Sequence, residues 1–150
     1  MLTLDNVDLE DLSMALESQT DHESFWWLDP ETGSVGYWSE VVEDELGESA
    51  EDLDERGILR IDPMPPSEGY LDMESFVANL AEGPARQQLQ QALGTKHPFR
   101  RFGAALGPFP EVLGQWRDFH NVAMRRRCVS WLVDAGVLDP SAGLPQVEAR

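Results

Sequence analysis

The sequence predicts an α+β protein. It should have an N-terminal helix, a small antiparallel sheet (a hairpin over about 24–39 plus a strand over about 57–62), and a C-terminal helical bundle with a long last helix. Three observations predict it. Two aromatic-rich runs flank a turn that contains proline and closes on glycine. The run Ile58-Leu59-Arg60-Ile61 is stopped by Pro63, Pro65 and Pro66. Beyond those prolines the apolar residues recur at helical rather than alternating spacing.

The first helix is expected over 5–18. Asp5 or Asn6 can cap it, and Asp8, Glu10 and Asp11 suit the positive end of its dipole. Val7, Leu9, Leu12, Ala15 and Leu16 then share one face. The hairpin follows: Glu23-Ser24-Phe25-Trp26-Trp27-Leu28, the turn Asp29-Pro30-Glu31-Thr32-Gly33, and Ser34-Val35-Gly36-Tyr37-Trp38. Pro30 presets φ for the turn, and Gly33 can take positive φ. Phe25 and Trp27 point to one face and Trp26 and Leu28 to the other, so both faces are apolar.

The stretch 40–55 reads as acidic and irregular, with one helical turn from Val41, Val42 and Leu46 before Gly47. A calcium loop starting at Asp52 fails. Its fifth and twelfth positions need an oxygen ligand and a Glu, and they hold Arg56 and Pro63.

Four helices complete the prediction. Tyr70, Met73, Phe76, Val77 and Leu80 line a helix over about 68–81. Pro84 opens the next, lined by Leu89, Ala92 and Leu93 and ended by Gly94. Pro98 opens a short one with Phe99, Phe102 and Leu106 as its apolar side. The last runs from about 110 to 135 and closes on Gly136. Its apolar stripe, Leu113, Trp116 and Phe119, is rotated roughly 100° by the time it reaches Cys128, Trp131 and Leu132. This helix should therefore serve two neighbours or bend near 124–127. Residues 1–136 read as one domain, and 137–150 as a loosely ordered tail.

Charge and cysteine usage narrow the function classes. The net charge is −17, and the first 55 residues carry 18 acids and no Lys or Arg. Such a field repels nucleic acid at long range. The acidic half is read first as a solvated surface, and in its sharper reading as a face for a basic partner or a nucleic-acid mimic. No run is long and apolar enough to cross a bilayer, and the first residues lack a signal-peptide pattern. The single cysteine, Cys128, cannot form an internal disulfide, which implies a cytoplasmic location.

No catalytic constellation emerges. Cys128 lies mid-helix among arginines and reads as buried and structural. His22, His97 and His120 are not at metal-ligand spacing, and Gly33-Ser34-Val35-Gly36 is not a phosphate loop. No metal or cofactor is expected. What remains is arginine beside aromatics. The candidate ligand- or partner-binding residues are Lys96, His97, Arg100, Arg101 and Arg117, with Trp26 of the hairpin. The intramolecular reading of the same residues has at least one of Arg100 and Arg101 bound to a carboxylate elsewhere in the chain.

The hairpin Leu28-Asp29-Pro30-Glu31-Thr32-Gly33, the helix from Tyr70 to Phe76, Phe99-Arg100-Arg101-Phe102, the Trp116 to Phe119 pair and Trp131-Leu132 together resemble a bacterial uncharacterised family, number 0158 of the UPF series. The likeness runs over roughly 22–136, and Phe99-Arg100-Arg101-Phe102 is its most specific motif. Family members usually precede that motif with a Gly-rich turn, from which Gly94-Thr95-Lys96-His97-Pro98 departs. The resemblance implies no activity and no catalytic residue.

The expected function is a small acidic non-enzymatic protein-binding or regulatory module with a protein partner. The alternative is a nucleic-acid or phosphate-ligand binding protein using 96–119. An enzyme built on His97 or His120 with an acid is a third class. No feature specifies an oligomeric state.

Overall fold

A computed structural model describes residues 2–18 and 24–139. The chain is α+β, as the patterning predicts. It divides into two compact units, one formed by Met1–Met64 with Arg125–Arg150 and the other by Pro65–Met124. His22 and the tail from 140 onward lie outside the described residues.

In the first unit a short 3-10 turn, Leu4–Asn6, precedes helix α1, Leu9–Glu17. The single helix expected over 5–18 is therefore interrupted. Val7 is extended at φ −99° and ψ 134°, and Asp8 caps α1 by accepting from the Asp11 N–H at 3.1 Å. Asn6 is occupied elsewhere: its Oδ1 accepts from the Thr3 N–H at 3.1 Å and from the Thr3 hydroxyl at 2.9 Å. Short polar side chains that can satisfy the backbone locally compete with a continuous helix in this way.

Strands β1, Phe25–Leu28, β2, Val35–Trp38, and β3, Leu59–Ile61, form an antiparallel sheet in the order β2-β1-β3. Trp26 lies opposite Tyr37 and Ile61, and Trp27 opposite Gly36 and Arg60. Leu28 and Ile61 on the Trp26 face are buried. The turn is held by the Gly33 N–H donating to Asp29 O at 2.8 Å, by Asp29 N–H to Ser34 O at 2.9 Å, and by Glu31 N–H to Asp29 Oδ1 at 2.9 Å. Gly33 takes φ 82°, and a side chain there would run into the backbone of Asn6.

The acidic stretch is not irregular. It forms helices α2, Glu40–Leu46, and α3, Ala50–Glu55. Both are set by local capping. The Ser39 hydroxyl accepts from Val42 N–H at 3.4 Å, and Gly47 ends α2 at φ 73°. Ser49 and Asp52 exchange side-chain to backbone hydrogen bonds, both at 3.1 Å, in a capping box. Acids in the first turn of each helix favour its positive end.

The second unit contains α4, Pro66–Ala78, α5, Pro84–Leu93, α6, Pro98–Leu106, and helix α7, Pro110–Asp134, up to Met124. Proline occupies the first turn of α4, α5 and α6, where its missing N–H costs nothing. The core joins Met73, Phe76, Val77, Leu89, Phe102 and Leu106, with Trp116 and Phe119 packed against it. Trp116 meets Phe102 edge-on at 5.0 Å and Phe76 at 5.4 Å. Burying each such large side chain contributes about 1.5–3 kcal/mol.

The rotated stripe of α7 has the consequence read from its spacing. Leu113, Trp116 and Phe119 pack in the second unit's core, whereas Cys128 and Leu132 are among the buried side chains of the first. After Gly136, at φ 79°, the chain continues through buried Val137 and Leu138. The Leu2 N–H donates to Val137 O at 2.9 Å, and Leu2 bridges Leu138 in parallel.

Candidate binding face

Helix α6 is built by its own sequence. Pro98 supplies the helical φ at its first position, and Arg101 N–H donates to His97 O at 3.0 Å. Phe102 and Leu106, four apart, are both 2 % exposed and fix which face turns inward. Phe99, expected on that apolar side, is instead 50 % exposed. It lies three residues before Phe102 in the first turn, at the margin of the buried face.

Lys96, His97, Arg100 and Arg101 are all exposed at the start of α6, around Phe99. Arg117, on α7, is exposed as well, next to half-buried Trp116. These five residues belong to the second unit, and Trp26 to the first. Trp26 is half-buried and packs on Tyr37 at 5.3 Å.

Among the described residues, the expected internal pairing of Arg100 or Arg101 is not formed. Neither has an ion pair among the described residues, whereas Arg56 and Arg60 both hold acids of the N-terminal half. Arg56 bonds Glu48 and reaches Asp29 at 3.7 Å. Arg60 engages Asp54 through Nη2 at 2.8 Å and Nε at 3.3 Å. The hydrogen bond and charge of Glu48, helped by Asp29, push the Arg56 guanidinium further up from its ordinary value. The physical reason is closure entropy: Arg56 lies eight residues from Glu48 and Arg60 six from Asp54, so each pair closes a short loop. Both also cover the outer sheet face, Arg60 at 4.0 Å from the Phe25 ring and Arg56 at 5.8 Å from Trp27. The antiparallel register opposite Trp27 carries the signal for Arg60, but it requires knowing that β3 pairs with β1.

The arginines of α6 therefore remain directed at solvent. Residues 83–110 contain Arg86, Lys96, Arg100 and Arg101 and no Asp or Glu, in a chain of net charge −17. A guanidinium fork suits a carboxylate or a phosphate, and Phe99 adds an apolar contact beside it.

Cys128 is fully buried, as its sequence context suggests. Its Sγ lies 3.4 Å from the Ser13 hydroxyl and 3.8 Å from Leu9 O, and burial pushes the thiol up despite the Ser13 bond. His120 lies tilted against Trp116 at 5.4 Å, in the packing around the second core. Among the described residues, no group of three or more His, Cys, Asp or Glu is arranged to hold a metal ion. No helix among them is long and apolar enough to cross a membrane.

Comparison with known proteins finds one family and one relative of the same kind. An uncharacterised protein family, UPF0158, matches residues 2–140. A UPF0158 protein of Pseudomonas aeruginosa is 32% identical over 130 residues, covering 85% of this chain and 82% of that protein. No solved structure matches the chain.

Proposed function

The chain belongs to the uncharacterised family UPF0158, and from that premise we propose that it is a non-enzymatic protein-binding module. Its contact is the exposed cation–aromatic turn at the start of α6. One observation carries this reading. Lys96, Arg100 and Arg101 are exposed around exposed Phe99, in a segment without a single acid, and have no ion pair among the described residues.

The partner of this face is an acidic protein segment. Carboxylates are forked by Arg100 and Arg101 and attracted by Lys96, and the Phe99 ring covers the apolar part of the segment. The sequence by itself points to a basic partner for the acidic half. The charge of α6 supports the opposite sign for the face that carries the aromatic. A phosphate backbone is the competing ligand, since a guanidinium accepts either anion. The field of a −17 chain disfavours the longer and more highly charged polymer.

Fluorescence anisotropy with labelled poly-glutamate, poly-lysine and single-stranded RNA, at low and moderate salt, tests the proposal. Binding of poly-glutamate that is lost in Lys96→Glu/Arg100→Glu/Arg101→Glu supports it. Binding of RNA with no binding of poly-glutamate replaces it by the phosphate reading. Failure of all three probes to bind at low salt removes both.

A further inference from the structure

The face of α6 that carries Arg101 also forms one wall of a groove. Arg101, Ala104, Ala105 and Pro108 recur at helical spacing along that wall. The facing wall is the stripe Pro84, Gln88, Gln91, Ala92 and Thr95 of α5 and the residues after it. Together they line an open hollow of about 590 Å³. Ala92, Ala104 and Ala105 contribute only methyl groups to this lining. A second hollow of about 470 Å³ shares Pro84 and Phe109 with the first and continues past Asn79, Glu82 and Gln115. All of these residues lie in the second unit.

The lining has a definite chemistry. Gln88, Gln91 and Gln115 each present a carboxamide, which both donates and accepts, whereas the Asn79 amide already donates to Ser75 O at 2.8 Å. Pro84, Pro108 and Phe109 add apolar surface to the lining. Among the described residues, the charged side chains lining the two hollows are Arg101 in the first and Glu82 in the second. Both are exposed, and neither has an ion pair among the described residues. A polyanion would meet Glu82, and a purely apolar ligand would strand the carboxamides. An extended peptide matches all three features, because its N–H and C=O groups pair with carboxamides.

We propose that this groove binds an extended protein segment, with an acidic side chain at the Arg101 end and a basic one at the Glu82 end. The proposal rests on the binding-module reading and deepens it, naming the form and the charge order of the partner segment.

The test uses the full chain and fluorescein-labelled extended peptides. One carries Glu at one end and Lys at the other, a second only the Glu, a third only the Lys, and a fourth neither. The doubly charged peptide is expected to bind tightest. Arg101→Glu weakens the two Glu-containing peptides about tenfold or more, the effect of losing a charge-assisted bond. Glu82→Lys removes only the advantage that the Lys end confers. Ala104→Trp, at an exposed helix position, fills the groove without changing charge and abolishes binding of all the peptides that bind. The inference is overturned if Ala104→Trp or Glu82→Lys leaves the doubly charged peptide bound as before. If that peptide still depends on Lys96 and Arg100, the binding-module reading survives without the groove. If no Glu-containing peptide binds, both fall.

Discussion

Replacing Gly33 by alanine separates the cost of a backbone conformation from the cost of a collision, because Gly47 supplies the control. Both glycines sit at left-handed φ, 82° and 73°. An L-residue forced there is strained by about 1–2 kcal/mol. At Gly47 nothing lies within 4 Å of an added Cβ, so Gly47→Ala costs only that. At Gly33 the added carbon meets the carbonyl of Asn6, which is backbone and held in the 3-10 turn. Displacing a packed backbone adds about 1–3 kcal/mol. Gly33→Ala is therefore expected to cost about 2–5 kcal/mol and Gly47→Ala about 1–2. Urea denaturation followed by tryptophan fluorescence measures both. Four of the five tryptophans, Trp26, Trp27, Trp38 and Trp131, belong to the same unit as the two glycines. Equal losses in the two variants would refute the claim that the hairpin turn is seated on Asn6.

Three further outcomes follow from the geometry. Phe102→Ala opens the second unit's core beneath Trp116 and is expected to cost about 3–5 kcal/mol, read by the same denaturation with the Trp116 signal isolated in a variant lacking the other tryptophans. Arg100→Ala and Arg101→Ala should each change stability by no more than about 0.5 kcal/mol, since neither side chain is buried or ion-paired among the described residues; a loss of several degrees in melting temperature would show an internal partner. Cys128 has its thiol pKa raised by burial, so as pH rises the unfolded chain ionises first. Below the unfolded thiol value of about 8.5 the two states bind the same proton, and above it the folded state binds more, so stability falls with rising pH. Unfolding between about pH 8 and 9.5 should show this slope in the native chain and lose it in Cys128→Ala; identical slopes would exclude the thiol as its source.

Much of the fold was legible because its signals are local. Pro84, Pro98 and Pro110 open helices within the first turn, where a missing N–H is harmless, and Gly136 ends the last one at positive φ. The hairpin was readable from Pro30 and Gly33 for the same reason. Even α2 and α3 were available to sequence reasoning, since Ser39, Ser49 and Asp52 are capping residues at capping spacing. Their acidity obscured them. The rotation of the α7 stripe, roughly 100° between Phe119 and Cys128, foretold two sets of neighbours from periodicity alone.

Pairing between distant residues was not legible. Nothing in Leu59-Arg60-Ile61 states that it lies beside β1 rather than β2, because either edge would accept its backbone groups. That choice puts Arg60 opposite Trp27 and beside Phe25, and Arg56 near Trp27. The same placement gives Asp54, Glu48 and Asp29 their cations and leaves Arg100 and Arg101 exposed. Counting charges along the chain predicted the reverse, since a count knows which signs must balance but not which are near. The groove is a tertiary fact of the same kind. Ala104 and Gln91 are unremarkable on their own helices. Only when α5 and α6 lie side by side do the alanines of one and the carboxamides of the other line one hollow with Arg101, and Glu82 lines a second hollow that meets the first at Pro84 and Phe109. Local sequence determined the elements because caps and turns act over a few residues. The candidate site was decided by packing, which brings together residues whose sequence neighbours carry no trace of one another.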